Sequence, residues 1–185
     1  MRDISLHLLD LMENSLRAGA THVECDMRLS EEGMLDICLR DDGCGMDPEL
    51  QQSVLSPFGT TRTTRKVGLG IPLTAANAEK TGGALHIHSV PGQGTTLNVH
   101  FNTRHMDCLP LGDVAQTLWT LVITHPLSPE FTLTMASPQG ESRFSTEEIR
   151  SVLGAEIPLN EPEVSAYLRD LLVEQAQTIF GGLLL

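Results

Sequence analysis

Basic and aromatic residues are scarce in this sequence. Its 185 residues include 12 lysines and arginines against 24 aspartates and glutamates, and aromatic residues make up only 4% of the chain. Duplex DNA and anionic membranes both select positively charged protein surfaces, so the acidic balance argues against either as a main partner. We therefore expect no nucleic-acid partner and no membrane partner.

Long apolar runs, a secretory leader and paired cysteine motifs are also missing. No apolar stretch approaches the roughly 20 residues that a membrane-spanning helix needs, and the first residues lack the pattern of a signal peptide. These features predict a cytoplasmic protein. Cys25, Cys38, Cys44 and Cys108 lack CxxC spacing, which favours free thiols in a reducing compartment over a metal site or a disulfide set.

A helix is predicted over residues 3–18, and it carries a polar stripe on a largely apolar surface. The stripe consists of His7, Asp10, Asn14 and Arg17 at positions i, i+3, i+7 and i+10. An asparagine oxygen suits a hard cation such as Mg²⁺, and a carboxylate one turn away is placed to orient a water molecule. The alternative is that Asn14 only caps a neighbouring turn.

Two alternating runs, residues 22–30 and 34–40, predict a β-hairpin with one buried face. Asp41 follows the second run, and Gly43 and Gly45 come next. A carboxylate at this strand end can accept a hydrogen bond from an exocyclic amine, and the missing Cβ atoms leave room for a flat ring. The alternative is an ordinary Asp-Gly turn.

Residues 56–68 show no periodicity and predict a loop long enough to act as a lid over a site. The segment Gly68–Gly70 then opens a helix that stops at Gly82 and Gly83. The free N–H groups and the positive end of such a helix bind phosphate oxygens. The basic residues of the loop add positive charge next to that helix; they are Arg62, Arg65 and Lys66.

A second hairpin follows this helix, with a turn at residues 91–94. Thr95 comes directly after the turn, so its hydroxyl can reach Asp41 or a bound base. The alternative is that threonine stands there only because it favours β-structure.

Residues 105–185 carry 3 basic and 11 acidic side chains and no motif that we can assign. They predict a helix over 113–126, a hairpin turning at 138–140, and a helix opened by the capping box of Ser145 and Glu148. A final helix of about 16 residues is expected to be capped by Asn160. We interpret this part as an accessory α+β subdomain that docks on the sheet or forms a dimer surface.

Four segments, taken in order, resemble the GHKL ATPases, the family of gyrase, ninety-kilodalton heat-shock chaperones, sensor histidine kinases and MutL proteins. LLDLMENSLRAGAT resembles the N box, RDDGCGM the first glycine box, SPFGTTRTTRKVGLGIPL the lid and second glycine box, and PGQGTTLNVHF the last box. The resemblance covers about residues 1–104. It implies an ATP-binding domain with the α/β Bergerat fold, a two-layer sandwich whose mixed sheet has helices on one face. Residues 105–185 would form a small C-terminal α+β extension.

The resemblance also implies roles for individual residues. Asn14 would reach Mg²⁺, Asp41 the adenine amine, and Asp10 would act as the catalytic base. Thr95 would support the adenine contact. The residues expected to line the base are Gly43, Gly45 and Met46. Those expected near the phosphates are Thr61, Arg65, Lys66, Gly68, Leu69 and Gly70.

Two departures from the family pattern bear on activity. Hydrolysing members place Glu four residues before the Mg²⁺-binding Asn, whereas this chain has Asp10, one methylene shorter, so slow hydrolysis or none is an alternative. Arg17 stands where MutL-like members place Asp. Only about two residues of this sequence precede the first helix, so we expect no phosphoacceptor helix pair before it.

These observations favour a stand-alone ATPase or protein kinase that binds Mg·ATP under a lid and acts in regulation. The alternative is a nucleotide-gated binding module that resembles an anti-sigma switch and does not turn over ATP. Expected ligands and partners are ATP or ADP, a protein partner or substrate, and a second copy of the chain in a homodimer.

Overall fold

The computed structural model describes residues 1–55, 69–154, 157–181 and 183. Within these ranges the chain forms six helices and six strands. In chain order the elements are α1 (Ile4–Arg17), β1 (His22–Leu29), β2 (Met34–Asp41), α2 (Pro48–Val54), α3 (Gly70–Lys80), β3 (Ala84–Val90), β4 (Gly94–Asn102), α4 (Val114–Thr124), β5 (Glu130–Ser137), β6 (Gly140–Ser145), α5 (Thr146–Leu153) and α6 (Pro162–Phe180).

The described strands form one mixed sheet in the order β3-β4-β2-β1-β5-β6. Neighbouring strands are antiparallel except β1 and β5, which run parallel. Along β1 the side chains of Val23, Cys25 and Met27 are buried, whereas Glu24 on the other face is exposed. The helices pack on the buried face, so the predicted two-layer α/β sandwich is confirmed.

The predicted first helix forms because Asp3 caps it and its apolar residues face the sheet. The Asp3 carboxylate accepts a hydrogen bond from the Leu6 N–H at 2.9 Å. Leu8 and Leu11, one turn apart, are 3% and 2% exposed. Burial of such side chains stabilises the fold by about 1.5–3 kcal/mol each. The buried stripe therefore sets which face of α1 turns away from solvent.

The residues after Arg104 extend the same sheet. Strand β5 pairs with β1 from His22 opposite Glu130 to Arg28 opposite Ala136. Helix α4 packs against both α1 and α6. The helix, the hairpin and the Ser145 cap predicted for this part are confirmed. The division into residues 1–104 and 105–185 stays a prediction, since both parts contribute strands to this sheet.

The prediction that Asn160 caps the last helix is wrong. The cap is Glu161, whose carboxylate accepts hydrogen bonds from the N–H groups of Glu163 at 2.9 Å and Val164 at 3.3 Å. Asn160 lies one residue earlier, within a turn closed by the Glu161 N–H and the Pro158 carbonyl. The longer glutamate side chain reaches back to the first turn, and α6 runs for 19 residues rather than about 16.

No helix in the described part of the chain is both long enough and apolar enough to cross a membrane.

Candidate functional site

A cavity of about 290 Å³ opens where α1, the end of β2 and the beginning of α3 meet. Most of its lining is apolar, and the polar side chains around it come from α1 and the sheet. These polar residues are Asn14, Ser15, Arg17, Asp41 and Thr95. A mostly apolar cavity with a few convergent polar groups is the usual form of a small-molecule site.

Asp41 is the last residue of β2, and both of its carboxylate oxygens are held. The Ser15 hydroxyl donates to Oδ2 at 2.7 Å, and the Gly43 N–H donates to Oδ1 at 3.0 Å. A carboxylate oxygen has two acceptor positions, so each still has capacity for a ligand. The half-buried carboxylate is therefore a well-oriented hydrogen-bond acceptor at the cavity wall.

The neighbouring Asp42 has a different role. Its carboxylate accepts hydrogen bonds from the Thr21 N–H at 2.7 Å, the Thr21 hydroxyl at 2.6 Å and the His22 N–H at 2.9 Å. Burial raises the pKa of Asp42, but these hydrogen bonds outweigh it and hold the pKa well below its usual range. Asp42 thus joins the end of β2 to the start of β1, while Asp41 faces the cavity.

The glycines after Asp41 are required by close backbone packing. A Cβ at Gly43 would lie 2.8 Å from the Ala18 Cβ, and a Cβ at Gly45, whose φ is 66°, would collide with the Val90 carbonyl. The Cys44 N–H between them donates to the Ala18 carbonyl at 2.9 Å. Gly45 lines the cavity, whereas Gly43 acts through its N–H bond to Asp41. Close packing thus accounts for both glycines, and the predicted room for a ligand ring stays a prediction.

Thr95 lies opposite Asp41 in the register of β2 and β4, but its hydroxyl bonds a different residue. The Thr95 and Ser89 hydroxyl oxygens are 2.9 Å apart. Ser89 donates to the Gly94 carbonyl at 2.9 Å and accepts the Met46 N–H at 2.8 Å. The Ser89 hydroxyl therefore fixes Met46, which lines the cavity, relative to Thr95.

Ser15 and Ser89 were missed by reasoning from the sequence, although a signal was present. Ser15 continues the buried stripe of α1 four residues after Leu11, and Ser89 continues the face of β3 that carries Leu85. Both serines are less than 7% exposed. A hydroxyl within an otherwise apolar stripe needs a partner, and here the partners are site residues.

Asn14 lies at the cavity with its side-chain oxygen already paired. The Arg17 guanidinium donates to Asn14 Oδ1 at 2.9 Å and to the Glu13 carboxylate at 2.6 Å. Arg17 itself lines the cavity, so a positive charge stands beside the asparagine. Arg17 belongs to the predicted polar stripe of α1, but its place in the cavity lining was not predicted.

Asp10 lies one turn before Asn14, beside the cavity rather than in its lining. Its carboxylate touches Gly70, the first residue of α3, so closely that any Cβ there would collide with it. The amino end of a helix carries a partial positive charge, which favours such an anion. Leu69, directly before Gly70, is 64% exposed.

The remaining predicted site residues lie outside the described part of the chain. They are Thr61, Arg65, Lys66 and Gly68.

The side-chain oxygen of Asn14 is of the type that Mg²⁺ accepts as a ligand. No cluster of three or more His, Cys, Asp or Glu side chains able to hold a metal occurs among the described residues. Mg²⁺ in nucleotide sites keeps several waters and takes one or two protein ligands plus phosphate oxygens. Asn14 Oδ1 can supply one such ligand once the Arg17 guanidinium moves from it.

Comparison with known proteins places these residues in context. The chain is 31% identical over 116 residues to the non-motile and phage-resistance protein of Caulobacter vibrioides, an alignment covering 57% of this chain and 14% of that one. It is 35% identical over 94 residues to the signal transduction histidine-protein kinase AtoS of Escherichia coli, covering 50% and 15%. For the histidine protein kinase DivJ of Caulobacter vibrioides the identity is 33% over 100 residues, covering 50% and 16%. The chain thus spans about one seventh of the length of these curated relatives.

A crystal structure of the N-terminal domain of a DNA repair protein superimposes with a TM-score of 0.53 at 17% identity, covering 84% of this chain and 58% of that one. This similarity shows a shared fold. The family model described as histidine kinase-, DNA gyrase B- and HSP90-like ATPase matches residues 2–105, more than half of the chain. The chain therefore belongs to the family of histidine kinase-, DNA gyrase B- and HSP90-like ATPases.

Proposed function

We propose that this protein binds Mg·ATP in the cavity beside α1 and acts as a regulatory ATPase or protein kinase. The observation that carries the proposal is the Asp41 carboxylate, held at the cavity wall by the Ser15 hydroxyl and the Gly43 N–H. A fixed acceptor beside an apolar surface suits the amino edge and the flat face of adenine.

The other polar groups are arranged to serve the rest of the nucleotide. The amino end of α3 offers free N–H groups and a positive field to phosphate oxygens. Arg17 supplies a full positive charge at the cavity, and Asn14 supplies an oxygen for the metal. Bound Mg²⁺ would neutralise phosphate charge, while the residues of this chain orient the nucleotide.

Isothermal titration calorimetry with Mg·ATP tests this proposal. Replacing Asp41 by Asn keeps the size of the side chain but puts an N–H donor where the adenine amine also donates. We expect the dissociation constant to rise about 100-fold. The matched control is Asp42→Asn, the same change one residue along, which should leave affinity within about threefold of wild type. Unchanged affinity in Asp41→Asn would refute the assignment of adenine to this residue.

A second candidate function is a nucleotide-gated binding module that holds ATP without turning it over. The observation that favours it is the short Asp10 side chain, whose carboxylate touches the first residue of α3. In that position the carboxylate repels phosphate oxygens, and its short stem gives it little reach toward an attacking water.

The two candidates differ in phosphate release and phosphoryl transfer. If Asp10→Glu raises the rate of phosphate release strongly, the native protein is suited to holding ATP. Transfer of labelled phosphate from ATP to a co-purified protein would instead support the kinase. Asp10→Asn is the matched control, since it keeps the side-chain length and removes the base.

The proposal also covers the protein's partner and its location in the cell. Two of the relatives named above are histidine kinases of which the chain spans a small part, which supports a protein substrate or a second copy as partner. We propose a cytoplasmic protein that works as its own unit. Light scattering and pull-downs with ATP and with ADP test whether the nucleotide changes its associations.

A further inference from the structure

His7 is a buried histidine whose two ring nitrogens both bond to helix α3. It lies on α1 and is 1% exposed. Its Nδ1 is 2.9 Å from the Thr74 hydroxyl, and its Nε2 is 3.0 Å from the Asn77 side-chain nitrogen. The ring therefore joins the first and third helices across their contact.

The direction of these hydrogen bonds follows from their partners. The Thr74 hydroxyl donates to the Gly70 carbonyl at 2.8 Å, so its oxygen accepts from His7 Nδ1–H. The Asn77 amide donates to Nε2. The ring is thus a neutral imidazole. Burial lowers the pKa of His7, helped by the amino terminus and opposed by Asp10 and Asp3, which agrees with a neutral ring.

The chain of hydrogen bonds ends at the amino end of α3. His7 precedes Asp10 by one turn and Asn14 by two turns on the same helix, and Thr74 follows Gly70 by one turn. Gly70 has no Cβ, which lets α1 approach until the Asp10 carboxylate touches it. His7 is not among the residues that line the cavity.

We propose that His7 is a positioning residue that sets the distance between Asn14 on α1 and the amino end of α3. Because metal and phosphates would be held between these two groups, the ring governs affinity for the triphosphate without touching the nucleotide. This inference depends on the proposed function. A purely structural histidine would instead change folding stability and leave ligand preference alone.

The test compares affinities for Mg·ATP and for adenosine, which lacks phosphates, by NMR titration of labelled protein. Thr74→Val keeps the shape of the side chain and removes the hydroxyl that links His7 to Gly70. We expect its affinity for Mg·ATP to fall about fivefold while its affinity for adenosine stays within about twofold. The matched control is Thr81→Val, at the other end of α3, where a buried hydroxyl donates to the Ala78 carbonyl at 2.8 Å. It should change neither affinity.

Substitutions of His7 provide a second measurement. His7→Leu removes both bonds and should lower affinity for Mg·ATP about tenfold, again with little change for adenosine. His7→Asn places an N–H donor near the position of Nδ1 and should recover part of that loss. This series keeps the inference testable if Thr74→Val fails to fold.

Two outcomes separate the inference from the function on which it depends. If wild type binds Mg·ATP and the variants lose ATP and adenosine affinity by the same factor, or lose neither, His7 is structural and the inference is wrong. If wild type binds neither ligand at millimolar concentration, the proposed function fails and the inference fails with it.

Discussion

Two cavities of the described surface lie in different regions of the molecule, and the candidate site is the smaller of these two. The cavity beside α1 measures about 290 Å³, and the groove between α5 and α6 about 500 Å³. In the groove the charged side chains Arg143 and Glu148 form an ion pair with each other. At the smaller cavity Asp41 is held by protein donors yet keeps acceptor capacity for a ligand.

The same contrast separates the buried hydroxyls of the two regions. Ser15 and Ser89 bond to residues that line the cavity. Ser145 is the last residue of β6 and Thr146 the first of α5. Their hydroxyls accept hydrogen bonds from the backbone N–H groups of Glu148 and Phe131, respectively, and so complete a helix start and a strand edge. The two serines at the cavity thus orient residues of its lining, whereas Ser145 and Thr146 complete secondary structure.

The substitution with the largest expected effect tests whether the cavity region and residues 105–185 unfold together. Leu168 on α6 is 0% exposed, and Leu168→Ala should lower the free energy of unfolding by about 3 kcal/mol through loss of packing and a residual cavity. Trp119 on α4 reports on the C-terminal region, because its indole N–H bonds the Ser165 carbonyl at 2.9 Å. Denaturant unfolding followed by Trp119 fluorescence and by circular dichroism should give coincident transitions in both proteins.

The matched control is Val152→Ala, since Val152 on α5 is 85% exposed and its truncation should cost under about 0.5 kcal/mol. Saturating Mg·ATP should also raise the Trp119 midpoint, because ligand binding in one region stabilises a shared cooperative unit. Two separate unfolding transitions would establish residues 105–185 as an independent subdomain and contradict the expectation of a single cooperative unit.

The second largest effect is expected on nucleotide affinity, and it is tested by comparing two exposed arginines. Arg17 lines the cavity, and Arg17→Ala should weaken Mg·ATP binding about tenfold, since a charge near the phosphates is lost. Arg28 joins β1 to Glu141 on β6 at 3.1 Å and is exposed to a similar degree. Arg28→Ala should leave affinity unchanged. Titrations at two salt concentrations provide the check, because only the Arg17 variant should lose salt sensitivity; equal losses would assign the effect to net charge.

Most of the fold was predictable because its determinants are local. Alternation of apolar residues identifies β1 and β2, and the capping box of Ser145 and Glu148 marks the start of α5. The parallel pairing of β1 with β5 was not predictable, since it joins residues more than 100 positions apart and depends on packing. The Asn160 cap was wrong because a glutamate next to it competes for the same N–H groups.

Sequence spacing predicted Asp41 and Asn14 as site residues, each beside a structural alternative, and both line one cavity. Their roles toward a ligand stay predictions. Ser15 supports Asp41, and Ser89 supports Met46 and Thr95. Both serines lie on buried faces where sequence patterns predict apolar residues, so the hydroxyl was the signal but its partner was not predictable. The contact of Asp10 with Gly70 likewise depends on how closely two helices approach.

A smaller effect on affinity is expected when two buried serines, one from each region, are replaced by alanine. Ser89→Ala should weaken Mg·ATP binding about fivefold, because Met46 and Thr95 lose the hydroxyl that orients them. Ser145→Ala removes the cap of α5 and should cost about 1 kcal/mol of stability with no change in affinity. Calorimetry and denaturant unfolding on both variants check this. Loss of affinity in Ser145→Ala would show that the regions are coupled more closely than their hydrogen bonds indicate.

The smallest expected effect is the pH dependence of stability that His7 contributes where α1 meets α3. The pKa of His7 is lowered from 6.5 by burial and the amino terminus, against Asp10 and Asp3, while its partners Thr74 and Asn77 on α3 are uncharged. Between that lowered pKa and 6.5 the unfolded chain therefore binds more protons than the folded protein. The free energy of unfolding falls as the pH drops through this range, and above it the histidine contributes no pH dependence. Unfolding measured from pH 8 to pH 5 should show a shallower pH dependence in His7→Leu than in wild type. The pH dependence of stability should be equally shallow in His7→Asn, which keeps a polar side chain but has no titrating group, so this variant separates titration from packing. A slope equal to that of wild type in both variants would show that other groups account for the pH dependence.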